Sequence, residues 1–348
     1  MSSLKGTICY LDSRRTLKLY LVLLTLTLLA SAFYVLSINR ASIDLRAYNV
    51  FPVLLKKIGT TSLPEVFSTT EPQETIHIYE YFINEPNKCQ GDVPFLVLLI
   101  AVERRQKEAR QAIRQAWGKE DFVPGMKILR LFLLGKDAQW TNETQQDLLK
   151  ESQEYHDIIQ QDYLDTYRNL TVKVLMGLHW VATYCPKASY VMKTDTDMFV
   201  NTEYLINTVL KPDQPPRQNY FTGRLIRDAE PIRNRDSKWH VKVEEYLEGV
   251  YPLYCSGTGY VFSVDLASKI VNISTTVRWL YLEDVYVGLC LQKLGIAPVA
   301  PPKDTDFSYN KIEYSECMYN QIVTSHQLTP EEIILYWDKL QLNKHTCG

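Results

Sequence analysis

The 348-residue sequence has no strong surplus of charge of either sign, no internal repeat and no low-complexity tract. Its 38 Lys and Arg residues nearly balance 40 Asp and Glu residues, which gives a formal net charge of -2. A chain without a basic surplus has no general attraction to phosphate backbones, so nucleic acid is not an expected partner. With 46% hydrophobic residues the chain is not of the disordered class, and its length suits one large core or two smaller ones.

The seven cysteines include no CxxC pair, so a structural zinc site has little support. Cys9 precedes a long apolar segment, and an even number of cysteines follows that segment. These are Cys89, Cys185, Cys255, Cys290, Cys317 and Cys347. An even number suits disulfides in an oxidising compartment, but the sequence does not choose the connectivity.

The apolar segment Leu19–Ile38 carries no charged side chain. It is long enough to cross a hydrocarbon core of ~30 Å at a helical rise of ~1.5 Å per residue. Lys and Arg side chains are concentrated before it, which predicts a cytoplasmic tail (1–18), a transmembrane signal anchor (19–38) and a luminal remainder. A cleaved signal peptide is the alternative, because Ala30–Ala32 fits a small-residue cleavage pattern, but the length of the segment favours the anchor.

The luminal part divides into a stem (39–86) and a compact domain (87–348). The stem mixes Ser, Thr, Pro and isolated aliphatic residues without a sustained period. Three sequons predict N-glycosylation on the luminal side, at Asn142, Asn169 and Asn272.

Buried-strand and helical patterns alternate in the first half of the domain. The runs FLVLLIAV from Phe95, MKILRLFLL from Met126 and SYVMK from Ser189 read as strands, with helical spacing between them. Such alternation predicts an α/β fold with a doubly wound, Rossmann-type sheet. Residues 218–262 lack the alternation, so we expect a mixed or antiparallel extension on the acceptor side of the sheet.

Asp195 and Asp197 form a DxD motif directly after the predicted strand SYVMK. Ligands bind beyond the carboxyl ends of parallel strands, and aspartates two residues apart can face one side of extended chain. Carboxylate oxygens suit Mg²⁺ or Mn²⁺, and such an ion can neutralise a departing diphosphate. An Asx turn after a strand is the plainer alternative.

In motif order and content the chain resembles the beta-1,3-galactosyltransferases, a branch of the inverting, metal-dependent nucleotide-sugar transferases. The resemblance covers the luminal part from Glu85 onward. The matching segments are EPNKC, FLVLLIAV, ARQAIRQAWG, LLG, NLTVKVLMG, YVMKTDTDMFVN, YFTG, SKW, YPLYCSGTGYVFS and LEDVYVGLCLQKLGI. The resemblance implies a GT-A-like fold.

The resemblance also implies roles for named residues. Asp284 falls on the family's catalytic base, with Glu283 as the runner-up, although a carboxylate at a helix start is by itself an ordinary first-turn charge. His326 falls on the position that completes the metal site, and a lone histidine is otherwise usually structural. Arg114 is favoured as a contact of the nucleotide sugar. Arg110, Lys193 and Asp195 complete this expected donor set, while the alternative for the two arginines is a solvated basic face.

CSGTGY, from Cys255, lacks the GxGxxG order of a dinucleotide fingerprint. It is expected to form an acceptor-side wall, since aromatic rings near it suit the CH faces of sugars. The residues expected on the acceptor side are Lys238, Trp239, Tyr251, Ser256 and Gly257.

The resemblance implies transfer of galactose from UDP-galactose, with inversion, in beta-1,3 linkage to a terminal N-acetylglucosamine or related N-acetylhexosamine of glycoprotein or glycolipid glycans, with Mn²⁺ or another divalent cation. The expected location is the Golgi membrane, as a single-pass type II protein with a luminal catalytic domain; homo- or hetero-oligomers are left open. Transfer of N-acetylglucosamine or N-acetylgalactosamine is one alternative. A catalytically silent luminal chaperone or glycan-binding protein is another, and it predicts erosion of the carboxylates that this chain retains.

Overall fold

The computed structural model describes residues 79–343. The predicted tail, transmembrane helix, most of the stem and Cys347 lie outside this range. Within it, no helix combines the length and apolar character that a membrane crossing needs.

A seven-stranded mixed sheet forms the centre of the described residues, and a two-stranded sheet lies beside it. The strands are β1 (Tyr81–Ile83), β2 (Leu96–Ala101), β3 (Ile128–Lys136), β4 (Ile158–Leu164), β5 (Tyr190–Asp195), β6 (Phe199–Val200), β7 (Phe221–Ile226), β8 (Tyr254–Ser263) and β9 (Thr324–Ser325). The α-helices are α1 (Lys107–Gln115), α2 (Asn142–Tyr155), α3 (Leu170–Tyr184), α4 (Thr202–Tyr204), α5 (Asp265–Ser274), α6 (Glu283–Lys293), α7 (Glu316–Tyr319) and α8 (Pro330–Leu342). A π-helical segment, Leu205–Leu210, continues α4.

The strand order is β1-β4-β3-β2-β5-β8-β7. Strands β2 to β5 run parallel, which confirms the α/β sheet predicted from the alternating pattern. β8 is antiparallel to β5, and β7 is antiparallel to β8. The segment that lost the alternation, 218–262, therefore forms the antiparallel extension predicted for it. β1 pairs with β4, so the sheet begins before the predicted domain boundary at residue 87.

Both faces of the sheet are covered, which explains why β2 is apolar along its whole length. All of Leu96–Ala101 is buried. Alternate side chains pack on opposite sides. One side meets α1, α2 and α8; the other meets α3, α5 and α6. This packing buries parallel strands from both faces, as the continuous hydrophobic runs predict.

Local signals place several helix starts. The Thr141 side chain accepts from the Thr144 amide at the start of α2. Thr329 and Glu332 form a capping box at the start of α8. β5 continues through Asp195, so the first aspartate of the DxD motif ends a strand rather than beginning a loop.

A buried ion-pair network joins α1, α2, β3 and the residue before β4. Arg110 pairs with Glu151 at 2.6 Å, and Arg114 pairs with both Glu151 and Asp157 at 2.8 Å. Arg130 pairs with Asp157 at 2.6 Å. Arg110 and Arg114 are 1% and 8% exposed, so the alternative of a solvated basic face is wrong. Together with Arg130, their guanidinium groups hold α1, α2, β3 and the residue before β4 in one network.

The described cysteines only partly follow the expectation of disulfides. Cys89 and Cys185 are bonded to each other, and Cys317 is also disulfide-bonded. Cys255 and Cys290 are buried free thiols. Their burial in the core on the α6 side explains their presence without a bond, since a free cysteine packs as a small apolar side chain.

The three sequons lie at different positions on the surface. Asn142 and Asn272 are exposed, on α2 and α5. Asn169 is half-buried, and its Nδ2 donates to the Leu164 carbonyl at 2.8 Å. Glycosylation at the three sites stays a prediction.

The network predicts a large effect of Asp157→Asn on stability. Asp157 is fully buried and accepts from Arg114 and Arg130, so its neutralisation leaves buried positive charge uncompensated. We expect a loss of ~3–5 kcal/mol in the free energy of unfolding, measured by denaturant titration. Asp162→Asn is the matched control, because its pair with Lys136 is exposed and spans 3.8 Å, and it should cost less than about 1 kcal/mol. Equal losses in the two variants would contradict the assigned role of the network.

Candidate active site

A cavity of about 700 Å³ opens beyond the carboxyl end of β5. Most residues singled out from the sequence line it: Lys193, Asp195, Asp197, Lys238, Trp239, Tyr251, Ser256, Gly257, Glu283, Asp284 and His326. They come from segments far apart in sequence, and the sheet topology brings them together. Arg110 and Arg114 do not line the cavity. Their predicted contact with the nucleotide sugar gains no support from this geometry.

Lys193 is the buried centre of the cavity floor, with a side chain 1% exposed. Its Nζ lies 2.9 Å from Asp195 Oδ1 and 3.2 Å from Glu283 Oε2, and it also donates to the Gly257 carbonyl. Burial alone would lower the pKa of Lys193, but the two carboxylates outweigh burial and raise it. The ammonium group therefore stays charged and ties β5, β8 and α6 to one point.

The two consecutive carboxylates at the start of α6 have different surroundings. Glu283 is buried, and both of its oxygens are occupied, one by the Tyr260 hydroxyl and the other by Lys193. Asp284 is partly exposed and lines the cavity; its oxygens accept from the amides of Gly257 at 3.0 Å and Val285 at 2.9 Å. Asp284 is thus the carboxylate that a ligand can reach, whereas Glu283 is committed to the interior.

Burial also alters the protonation of this pair. It raises the pKa of Asp284 above its ordinary value, although the amides of Gly257 and Val285 oppose the shift. Burial likewise raises the pKa of Glu283, against the influence of Lys193. A carboxylate with a raised pKa is a stronger base than a solvated one, so Asp284 has the proton affinity that general-base catalysis uses.

His326 faces the second aspartate of the DxD motif. Its Nε2 lies 3.2 Å from Asp197 Oδ2, and its Nδ1 lies 2.9 Å from the Tyr309 carbonyl. A carbonyl that accepts from one imidazole nitrogen fixes the ring and directs the other nitrogen toward its partner. His326 and Asp197 are therefore held side by side at the cavity wall.

The side chains of Asp195, Asp197 and His326 meet some of the requirements of a binding site for a hard divalent cation. Neighbouring ligand atoms of an octahedral ion at ~2.1 Å lie about 3 Å apart, close to the separation of His326 Nε2 and Asp197 Oδ2. Asp195 lines the same cavity, with one oxygen bound to Lys193. Within residues 79–343, no three His, Cys, Asp or Glu side chains are already clustered closely enough to hold a metal ion. The oxygen and nitrogen atoms of these side chains are of the kind that bind a divalent cation. Within the described residues, however, they do not form a preformed cluster of three ligands.

Exposed aromatic rings form the outer wall of the cavity. Tyr167 is 45% exposed and Trp239 is 48% exposed. Lys238 Nζ lies 4.8 Å from the Trp239 ring centroid and 5.7 Å from that of Tyr167. The Tyr281 hydroxyl approaches the carbonyls of Lys238 and His240 at 3.1 and 2.8 Å, on either side of Trp239. Tyr281 thereby fixes the loop that carries the indole.

One arginine side chain organises the same loop. The Arg233 guanidinium donates to the carbonyls of Val241, Lys242 and Tyr246 at 2.8 to 2.9 Å. These contacts satisfy backbone acceptors that no strand or helix supplies with partners. The loop between β7 and β8 is therefore ordered although it lacks regular structure.

Sequence reasoning missed several residues that line the cavity. They include Tyr167, Tyr254, Tyr281 and Tyr309. Tyr281 lies two residues before Glu283, and Tyr167 lies just before the NLT sequence. Their closeness to these motifs is the sequence feature that could have indicated them as cavity residues. Tyr309 had none, because only the fold places it beside His326.

A carboxylate-centred cavity beyond the carboxyl ends of parallel strands defines an α/β protein with a ligand site at the sheet edge. A family model described as "Galactosyltransferase" matches residues 108–302. Human beta-1,3-galactosyltransferase 2 is 59% identical over 269 residues, which cover 77% of this chain and 64% of that protein. Mouse beta-1,3-galactosyltransferase 1 is 46% identical over 325 residues, which cover 93% of this chain and 97% of that protein.

The chain belongs to the galactosyltransferase family, which confirms the resemblance inferred from its motifs. It spans about 64% of the length of the beta-1,3-galactosyltransferase 2 relatives. Among solved structures, a glycosyltransferase involved in glycosylation of the major capsid of PBCV-1 is 10% identical, covering 71% of this chain and all of that one. Its TM-score of 0.36 is too low to establish a shared fold.

Gly257 allows the close approach of β8 to both carboxylates, which leads to a prediction for Gly257→Ala. An added Cβ would lie 3.2 Å from Glu283 Oε2 and 3.3 Å from Asp284 Oδ2. We expect kcat for transfer to fall about tenfold or more, because small displacements of reacting groups are costly. Gly249→Ala is the control, since a Cβ there meets open space. Initial rates of the two variants decide the matter; an unchanged kcat in Gly257→Ala would show that the close approach is not needed.

Proposed function

We propose that this protein transfers galactose from UDP-galactose, with inversion, to a terminal N-acetylglucosamine in beta-1,3 linkage, and that it needs a divalent cation. The observation that carries the proposal is the meeting of Asp195, Asp197, Asp284 and His326 in one cavity of a galactosyltransferase-family chain. The retained carboxylates favour an enzyme over a catalytically silent relative.

The donor is expected to lie along the carboxyl edge of the parallel strands, in a GT-A-like arrangement. Two features of the sheet support this position. Nucleotides in doubly wound folds bind outside the carboxyl ends of the strands. The DxD aspartates stand at the end of β5, next to the cavity.

Asp284 is the proposed base. It would accept the proton of the acceptor hydroxyl while that oxygen forms a bond to the anomeric carbon and the bond from that carbon to the diphosphate oxygen breaks. UDP leaves with the electron pair on the opposite face. Glu283 is the weaker candidate because both its oxygens are engaged inside the protein. Its role is to hold Lys193 and the start of α6 in place.

Asp195, Asp197 and His326 are the residues that would hold Mn²⁺ or another divalent cation. When bound, such an ion supplies positive charge to the departing diphosphate. Tyr309 keeps the His326 ring in the orientation that presents Nε2 to the site.

The acceptor sugar is expected against the aromatic wall. Tyr167 and Trp239 offer exposed ring faces, which suit the apolar CH faces of a sugar. Lys238, Tyr251, Ser256 and Gly257 line the same cavity. Hydroxyl, amide and ammonium groups there can select among sugar hydroxyls.

We further propose that the protein is a single-pass type II protein of the Golgi membrane with a luminal catalytic domain. The uncharged segment 19–38 and the preceding positive charge support this topology. The bond between Cys89 and Cys185 fits an oxidising compartment.

The proposal is tested by incubating the full-length protein with UDP-galactose, UDP-N-acetylglucosamine and UDP-N-acetylgalactosamine in turn, each with an acceptor ending in N-acetylglucosamine. Galactose transfer that depends on Mn²⁺ and stops with excess chelator is the expected result. Preference for an N-acetylhexosamine donor would overturn the assignment of galactose. Full turnover in chelator would overturn the assignment of the metal.

Asp284→Asn is predicted to remove the base while preserving the fold. Asparagine keeps the size of the side chain but lacks the basic carboxylate, so kcat should fall by ~10² to 10⁴. Because burial raises the pKa of Asp284, folding favours the protonated form of this side chain. The stability that this shift contributes is gained as the pH falls through the raised pKa, and it is absent at neutral pH. Thermal unfolding at pH 7 should therefore show only a small loss of stability, about 1 kcal/mol, because asparagine keeps one acceptor oxygen for the amides of Gly257 and Val285 where aspartate has two.

Glu283→Gln is the neighbouring control. It leaves the buried ammonium of Lys193 with one carboxylate fewer, so we expect lower thermal stability alongside any loss of rate. If kcat collapsed in Glu283→Gln while Asp284→Asn kept normal rates, the catalytic base would be Glu283 and not Asp284. The pH dependence of kcat gives a further check. In the wild-type enzyme, the loss of activity at acidic pH should occur above the ordinary pKa range of aspartate. This loss should be absent from the residual activity of Asp284→Asn.

A further inference from the structure

The start of α6 is held by contacts with the sheet rather than by a helix cap. Leu282, the residue before the helix, has an aliphatic side chain, which cannot accept a hydrogen bond from the amides of the first turn. The orientation of Glu283 and Asp284 is therefore set by neighbouring elements. The contacts come from β8, which packs in the same core cluster as α6.

Strand β8 holds the start of α6 at two points. The Tyr260 hydroxyl donates to Glu283 Oε1. Three residues earlier on the strand, the Gly257 amide donates to Asp284 Oδ2 at 3.0 Å. Each of the two consecutive carboxylates has one of these contacts, so the first turn of the helix cannot rotate or slide along β8 without breaking one of them.

The position of Tyr260 follows from strand register. Tyr260 is paired directly with Lys193 on β5 and with Gly223 on β7. Side chains of directly paired antiparallel residues lie on the same face of a sheet, so the hydroxyl and the ammonium group reach Glu283 from the same face. Gly223 leaves room for this arrangement, since a Cβ there would lie 3.0 Å from Tyr260 Cβ. Tyr260 is 1% exposed, and its ring centroid lies 4.8 Å from that of Phe221.

The Tyr260 hydroxyl keeps the two oxygens of Glu283 on separate partners. Oε1 accepts from Tyr260, and Oε2 lies 3.2 Å from Lys193 Nζ. Without the hydroxyl, Oε1 would be a buried acceptor without a partner, which favours rotation of the carboxylate toward Lys193. Lys193 also donates to the Gly257 carbonyl, and the Gly257 amide binds Asp284. A shift of Glu283 is therefore passed to Asp284 by two routes, the helix backbone and Gly257.

We propose that Tyr260 is a positioning residue for the transfer reaction: its buried hydroxyl fixes Glu283 and thereby holds Asp284 where it meets the acceptor hydroxyl. Tyr260 is not among the residues that line the cavity, so it acts through the two carboxylates and not on a substrate. The inference rests on the proposed function, because it takes Asp284 to be the base.

The test compares Tyr260→Phe with Tyr286→Phe in the full-length enzyme. Tyr286 is the matched control, since it is 0% exposed, lies on α6, and donates through its hydroxyl to the Ser274 carbonyl at 2.8 Å, at the end of α5. Each variant loses one buried hydroxyl and its hydrogen bond, so the two should show similar falls in melting temperature. The number of UDP-binding sites is counted by calorimetry, and kcat is calculated per site, so that inactive molecules do not contribute.

In Tyr260→Phe we expect kcat to fall about tenfold to a hundredfold, because a displacement of ~1 Å at a reacting group is costly. KM for UDP-galactose and KM for the acceptor should stay near wild-type values. Tyr286→Phe should keep the wild-type kcat. In an Asp284→Asn background, Tyr260→Phe should lower kcat little further, because its effect passes through the base.

A wild-type kcat in Tyr260→Phe, or an equal loss in both phenylalanine variants, would overturn the inference. The same holds if donor KM rises in place of a fall in kcat, or if the full loss persists in the Asp284→Asn background, since Tyr260 would then act by another route. Loss of all UDP-binding sites in Tyr260→Phe would show that the hydroxyl serves the fold, and would also overturn it. Each of these outcomes leaves the proposed function standing. A wild-type enzyme that neither binds UDP nor transfers galactose in the presence of Mn²⁺ would overturn the proposed function itself, and the inference with it.

Discussion

The geometry of the site depends on one buried ammonium group. Lys193 lies inside the sheet and has Asp195, Glu283 and the Gly257 carbonyl as partners, so a strand end, a helix start and the backbone of β8 are fixed to a single cation. A charge this deeply buried is tolerated only when it is fully paired, which ties the three elements to one arrangement. The consequence is that the carboxylates proposed for the donor side and for the acceptor side keep a constant spacing.

The carboxylates of the cavity and its aromatic wall lie on different kinds of structural element. The carboxylates and Lys193 stand on strands, helix starts and short turns that are packed on both faces. The aromatic wall stands on the connection between β7 and β8, which Arg233 and Tyr281 hold through backbone carbonyls. Changes on that connection can therefore alter the aromatic wall while leaving the floor of the cavity intact.

Much of the fold was predictable because its signals are local. Buried strands read as unbroken apolar runs, Thr141 and Thr329 mark helix starts, and the loss of alternation after residue 218 predicts the antiparallel extension. The partners of the arginines were not predictable. Arg114 meets Asp157 across 43 positions, and no local pattern records such a contact. The same limit hid Tyr309, whose place beside His326 follows only from the folded chain. For Glu283 and Asp284, the resemblance to the family named Asp284 as the expected base; the packing adds that Glu283 is engaged by Tyr260 and Lys193 while Asp284 lines the cavity.

The central claim is that one accessible carboxylate, Asp284, activates an acceptor hydroxyl for a single displacement at the anomeric carbon. The stereochemistry of the first product tests this most directly. In UDP-galactose the galactose is α-linked to the phosphate, so one displacement from the opposite face must give a β-linked product. Proton NMR of the product, recorded as it forms, should show the anomeric coupling of β-linked galactose on the 3-hydroxyl of N-acetylglucosamine. An α-linked product would require a double displacement or a front-side transfer, and it would contradict the account.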